Sequence, residues 1–255
     1  MFTLIICFLA GMGAGLGTGF AGMSAAAVIS PMLITFLELD AYEAVGIALA
    51  SDVLASAVSA YTYGKNKNLD IQNGLVMMGA VLAFTLAGSW VASQVPNAAM
   101  GSFSVFMTFL LGIKFILKPV MTTRESMNGV SRKKRVIQSV AGGTAVGFIC
   151  GFVGAGGGMM MLLLLTGFLG YELKTAVGTS VFIMAFTAFT GAAGHFAIGG
   201  MPDLWCLLLC VAFTLLWARV AAKFANRASA VTLNRATGVV LTLLGAAILA
   251  VKYLG

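Results

Sequence analysis

The sequence predicts an all-α, polytopic membrane protein built as two inverted repeats of five helical elements each. In each half the first two elements form a broken, re-entrant helical hairpin. Composition is the first observation behind this reading. Of 255 residues, 60% are hydrophobic and 9% charged, with a mean hydropathy of +1.02. Soluble domains carry about a quarter charged residues, so most of this surface must face lipid. The second is an internal match: shifting the chain by 132 positions lays Gly11, Gly15, Gly19, Phe20 and Gly22 on Gly143, Gly147, Gly151, Phe152 and Gly154. The same shift sets Ala44–Gly46 on Ala176–Gly178 and Leu37 on Leu169, and one inserted residue brings Asp70 onto Asp203. The third is that the first apolar stretch of each half is too long for a single span.

The apolar stretches are 3–38, 41–63, 72–93 and 100–118, then 136–169, 173–197, 203–223 and 233–252. Residues 3–20 lack the basic n-region of a signal peptide and are expected to stay as the first helix. As one helix, 3–38 would measure about 54 Å, against about 30 Å of hydrocarbon. It must fold back, and the place to do so is a glycine cluster: "GTGFAGMS" (Gly17–Ser24) in the first half, "GAGGG" (Gly154–Gly158) in the second. The halves are therefore 1–118 and 136–255. Between them, 119–135 is a basic linker whose polar run Met121–Arg135 includes Asn-Gly, a turn signal. Together the two halves make one transport unit.

Charge fixes the count and the orientation. With five elements per half, the loops bearing Lys65, Lys67, Arg124, Arg132–Arg135 and Arg227 share one side, flanked by Arg219, Lys223 and Arg235. The loops 38–41, 94–99 and 198–202 have no Lys or Arg. Basic loops collect in the cytoplasm, which places the central linker there and both termini outside. Lys252 dissents and can snorkel. An odd count per half inverts the second repeat. The expected location is a prokaryotic plasma membrane.

A helix broken inside the membrane offers chemistry. Non-helical peptide groups cannot face lipid but can line a cavity. The first N–H groups after a break lack intrahelical partners and sit at the positive end of a dipole. Inverted repeats with broken helices mark secondary transporters with a midplane site. The candidate substrate-binding residues are Gly22, Ser24, Gly154, Gly156, Gly157 and Gly158, with a half-helix starting near 157 and its counterpart near Ser24. The more regularly spaced Gly11, Gly15, Gly19, Gly143, Gly147 and Gly151 follow the small-xxx-small rule and serve helix packing.

Thr179 and Ser180 lie several residues into a span. Their hydroxyls either bond carbonyls one turn back or complete the ligand's shell. Asp52 is the only acid far inside an apolar stretch, and such a carboxylate is a functional candidate by default. It either carries a coupling proton or bonds hydroxyls such as Ser51 and Ser56. His195, the only histidine, ends its span and reads as a capping or interfacial residue, with a proton relay as the alternative. Its duplicate, Tyr63, is another interface former. Lys114, Lys118, Arg219 and Lys223 near the cytoplasmic ends can enrich anions at the mouth.

Other classes find less support. The cysteines (Cys7, Cys150, Cys206 and Cys210) are scattered through apolar segments and read as small packing residues, not as a disulfide framework or a zinc site. The net charge of +7 reflects cytoplasmic loops; no nucleic-acid module is visible. No catalytic residue, cofactor or metal is expected. Ser24 with His195 would be a thin basis for a hydrolase. A channel would show charged rings or a filter-like repeat, neither of which appears. The expected partners are a small anion and the lipid bilayer.

The run "GFVGAGGG", the following "AVGTS" and "GHFAIGGMPD" resemble the second repeat of the TauE/SafE sulfite exporter family, also called TSUP, and the resemblance covers nearly the whole chain. It implies a permease, often an exporter, for sulfur-containing anions such as sulfite or organosulfonates. Carried over by position, the family's anion-site motif falls on Gly154, Gly156, Gly157, Gly158, Thr179 and Ser180. The first repeat departs from it: Ser24, Ala25 and Ala26 stand where a second glycine triplet is usual, and Ile47 and Ala48 where a Thr-Ser pair is usual. An anion channel, or a carrier of another small organic anion, is the alternative.

Overall fold

The computed structural model describes residues 1–92, 113–114, 116–118, 131–153 and 157–254. The described elements are all helical: α1 (Phe2–Ala21), α2 (Ala26–Leu37), α3 (Ala41–Lys65), α4 (Ile71–Ala92), α5 (Arg132–Val153), α6 (Gly157–Leu163), α7 (Leu173–Gly199), α8 (Leu204–Arg227) and α9 (Ala230–Leu254). A π-helical turn, Leu164–Phe168, extends α6. Five described helices are long and apolar enough to cross a membrane: Phe2–Ala21, Glu43–Lys65, Leu173–Ala197, Leu204–Arg227 and Ala230–Ala247. Large apolar side chains such as Leu208, Phe189 and Leu243 point outward, as lipid contact requires.

Both long apolar stretches divide where glycine clusters. α1 stops at Ala21 because Gly22 turns left-handed (φ 62°) and sends its N–H back to Thr18 O at 2.9 Å, while Met23 N–H reaches Gly17 O at 3.3 Å. That is the ending glycine favours after a helix. In the second half, α5 ends at Val153 and α6 begins at Gly157.

Glycine spacing also explains the tightest seams. A Cβ on Gly11 would stand 2.6 Å from Phe213 Cβ, one on Gly15 2.6 Å from Thr214 O, and one on Gly19 2.5 Å from Ala221 Cβ. The stripe Gly11–Gly15–Gly19 thus lets the α1 backbone lie on α8, as small-residue spacing predicts. Gly143 and Gly147 of α5 meet Met77, Ala80 and Val81 of α4 in the same way. Each half therefore lends its first helix to the fourth helix of the other.

Direction follows from these contacts. α1 and α8 run parallel, since rising numbers meet rising numbers, and so do α4 and α5. Glu43 and Asp203 meet at one end of the bundle, Lys65 and Arg227 at the other, so α3 runs with α8. Lys174, at the start of α7, reaches Asn226 O at 3.1 Å, so α7 runs against both. The duplicated aspartates cap equivalent helices: Asp70 Oδ1 accepts from Asn73 N–H at 3.1 Å, and Asp203 Oδ1 from Trp205 N–H at 2.9 Å. Both are N-caps satisfying first-turn donors.

Three of the four cysteines are not scattered in space. Cys7, Cys206 and Cys210 meet where α1 crosses α8, all buried. The side chain of Cys150 lies outside the described residues.

Candidate functional site

The end of α1 leaves carbonyls with no helical partner, and neighbouring helices supply the missing donors. Tyr63 Oη of α3 donates to Gly19 O at 2.8 Å. Thr237 Oγ1 of α9 donates to Phe20 O at 3.2 Å, and Ser180 Oγ of α7 to Gly22 O at 3.1 Å. Thr18 Oγ1 closes on Met23 O at 2.9 Å. Buried acceptors must be paired, and here side chains from four helices pair them. Tyr63 is fully buried, so it is an internal strut and not the interface residue its sequence position suggested. The available signal was its helical spacing from Ser59, Ser56 and Asp52, a stripe of polar groups that is buried throughout.

The donors of this break are a different matter. Ala26 N–H finds Ser24 Oγ at 3.3 Å, and Ala27 N–H finds Ser24 O at 3.2 Å. Among the described residues, the N–H groups of Ser24 and Ala25 close no backbone bond. The Ala25 N–H and the Ser24 hydroxyl face the Asp52 carboxylate of α3. Asp52 is fully buried. Its Oδ1 accepts from Ser56 Oγ at 2.8 Å, while Oδ2 has no partner within hydrogen-bonding distance. The positive end of α2 thus looks at a resident carboxylate, the arrangement a helix dipole favours.

The second break closes on the first. Gly158 packs against the backbone of Gly22, Met23 and Ser24, and a Cβ there would stand 2.5 Å from Gly22 O and 2.7 Å from Ser24 N. Only glycine permits that approach. Ser180 Oγ lies 3.1 Å from Gly22 O and 3.4 Å from Gly158 O. One hydroxyl proton serves two carbonyls, one from each break. Gly157 opens α6; Gly154 and Gly156 lie outside the described residues.

Thr179, next along α7, does not join this cluster. Its Oγ1 accepts from Asp70 N–H at 3.1 Å and so fixes the turn between α3 and α4. That turn is held further by Tyr171 Oη donating to Asp70 Oδ2 at 2.8 Å and by Arg135, 3.8 Å from the same oxygen. Burial, and then the Asp70 charge, push the Tyr171 phenol above its ordinary range, so it remains a donor. His195 also lies elsewhere, lining a cavity of about 260 Å³ with Asp40 and Glu43 at the far end of the bundle.

The opposite end is basic. A cavity of about 660 Å³ between α3 and α8 is lined by Lys65, Arg219, Lys223, Arg227, Asn66 and Asn226 among others. Gly19 rests on Ala221 and Ala222, so the end of α1 lies within about a turn of Lys223. Such a cleft concentrates anions and speeds their arrival.

The family described as "Sulfite exporter TauE/SafE" matches residues 7–248. The chain is 24% identical over 236 residues to "Probable membrane transporter protein YdhB" of Bacillus subtilis (strain 168), covering 92% of this chain and 94% of that one. It is 25% identical over 214 residues to "Probable membrane transporter protein YunE" of the same organism, covering 76% of each. No solved structure matches the chain.

Proposed function

Because the chain belongs to the TauE/SafE sulfite exporter family, a family of membrane transporters, we propose that it carries a small sulfur-containing anion, such as sulfite or an organosulfonate, between its two broken helices. The supporting observation is that a pair of helix breaks meets inside the bundle, with backbone groups of both within contact of each other and of Ser180. Gly22, Ser24, Gly154, Gly156, Gly157, Gly158 and Ser180 form the binding region, and Thr179 supports it through the neighbouring turn. We read 1–118 and 136–255 as inverted repeats: α1, α3 and α8 run one way, and their partners under the 132-residue shift run the other, since α7 opposes α3, α4 follows α7 (Gly74 lies on Thr179 and Phe182, just after Asp70 meets Thr179) and α5 follows α4. We read the contacts between Gly158 and the first break as those of a closed state, and alternating access would require the two breaks to part. The basic cavity is the cytoplasmic mouth, and the protein sits in the cell membrane as a non-enzymatic carrier.

Asp52 gives this reading a coupling step. A substrate anion and the Asp52 carboxylate would compete for the Ser24 and Ala25 donors, and two negative charges in one buried site repel strongly. Protonating Asp52 removes the rival, so anion entry takes up a proton. Binding then strengthens as pH falls, by about tenfold per unit while Asp52 is charged in the free protein. His195, remote from the breaks, acts at most in proton exchange at the far mouth.

The test is a thermal-stability screen of purified protein against sulfite, sulfate, thiosulfate, sulfoacetate, phosphate and chloride. A ligand of the native state raises the apparent melting temperature. At least one sulfur oxyanion or sulfonate is expected to do so, more strongly at low pH, and to move by saturable flux in proteoliposomes. A flat panel, or flux that never saturates, overturns the proposal.

A further inference from the structure

None of the three clustered cysteines lines either cavity or bonds to a group of the breaks. On α8, Cys206 and Cys210 are four residues apart and so share one stripe of the helix. Cys7 of α1 faces that stripe because the parallel α1–α8 seam, set by Gly11, Gly15 and Gly19, aligns the starts of the two helices. Cys7 Sγ and Cys206 Sγ are 3.5 Å apart, and all three sulfurs lie within 4.8 Å of one another. Their exposures are 0%, 1% and 0% for Cys7, Cys206 and Cys210.

These distances can be set against a metal site. Three sulfurs placed around one ion, each at about 2.3 Å, stand about 4.0 Å from each other. The Cys7–Cys206 spacing of 3.5 Å is about half an ångström short of that value and the other two stay within 4.8 Å, so small side-chain rotations would close the triangle. The donors are all sulfur, the set that selects soft ions. Zinc in structural sites takes four ligands, and the described residues offer only these three here.

We propose that Cys7, Cys206 and Cys210 form a three-sulfur binding site for one soft monovalent metal ion of the Cu(I) type. On binding, two thiols lose their protons to solvent and the third coordinates as a neutral thiol. The complex then carries one net negative charge, with no change of oxidation state. The α8 N-terminus begins two residues before Cys206; its dipole favours that charge, and the Asp203 carboxylate that caps it opposes it.

The test is an anaerobic titration of the full-length, detergent-purified protein with Cu(I) against a chromophoric Cu(I) chelator. One ion per chain is expected to be withheld from the chelator, with X-ray absorption reporting a shell of three sulfurs. Cys7→Ser, Cys206→Ser and Cys210→Ser are each expected to weaken retention at least tenfold, and Cys150→Ser to leave it unchanged. Cys→Ala versions at the same three positions guard against a folding defect from a buried hydroxyl, and an unaltered melting temperature without metal certifies each variant. Copper surrendered as readily by the wild type as by a variant combining Cys7→Ala, Cys206→Ala and Cys210→Ala overturns the proposal. So does a shell containing nitrogen or oxygen, or retention that depends on Cys150.

Discussion

The two helix breaks occupy equivalent places in the two halves, yet they are finished by different chemistry. The first has Ser24 and Ala25 at its turn and a carboxylate, Asp52, facing its donors. The 132-residue shift puts Met184 at the position matching Asp52, so the second half has no acid there. In its place the second half brings Ser180, whose counterpart in the first half is Ala48. Ser180 reaches carbonyls of both breaks. One half therefore contributes a negative group that can be neutralised, and the other a neutral clamp. The two breaks thus differ in the polar groups that serve them, a carboxylate at the first and a shared hydroxyl between both.

Substitutions can break this division. The largest effect is expected at Gly158. A valine there must displace the backbone of Gly22 and Ser24 and should abolish flux in proteoliposomes. Gly158→Ala should lower stability by about 1–3 kcal/mol, the usual range for overpacking, read by thermal melting. Unimpaired flux in the valine variant would show that the breaks do not work as a pair. Asp52→Asn comes next. It keeps the size and one acceptor oxygen, for Ser56, but cannot titrate, so anion affinity should lose its pH dependence and proton-driven flux should fall at least tenfold, while the fold survives. If affinity in this variant still rises tenfold per unit as pH drops, the carboxylate is structural.

Two smaller changes sharpen the comparison. Ser180→Ala makes the second half match the first at this position and removes the shared donor. A loss of about 1 kcal/mol and a several-fold drop in transport are expected, and a change confined to stability would make Ser180 a strut only. Ser24→Ala removes a side-chain acceptor from Ala26 N–H, 3.3 Å away. The cost should be below about 1 kcal/mol, with anion binding weakened mildly, because the peptide donors remain.

Much of this architecture was readable from the chain. The breaks follow from stretch length and glycine clustering, and the seams from glycine spacing, because both depend on local geometry that sequence encodes directly. Gly158 was read only together with Gly154, Gly156 and Gly157, as a cradle for an anion; its close approach to the backbone of the first break needed the fold. Thr179 and Ser180, adjacent in sequence, could not be separated: successive helical positions point about 100° apart, and which neighbour each meets is decided by tertiary packing. Tyr63 was hidden likewise, since an amphipathic residue near a span's end is suited to an interface as well as to a buried carbonyl. The relation of Asp52 to the α2 N-terminus needed the fold, for nothing in the spacing of residues 24 and 52 says that their helices touch. The cysteines illustrate the same limit across the α1–α8 seam.

That seam has a consequence for how the chain is made. The glycine stripe of α1 finds its place only on Phe213–Ala222, which emerges from the ribosome about two hundred residues later. At roughly 5–20 residues per second, the N-terminal helix waits roughly 10–40 s with its closest neighbour still unsynthesised. Insertion into the bilayer and final assembly are thus separated in time. During that interval a chaperone, an insertase surface or lipid itself must cover the stripe, and truncated chains ending before α8 should be prime substrates for membrane proteases.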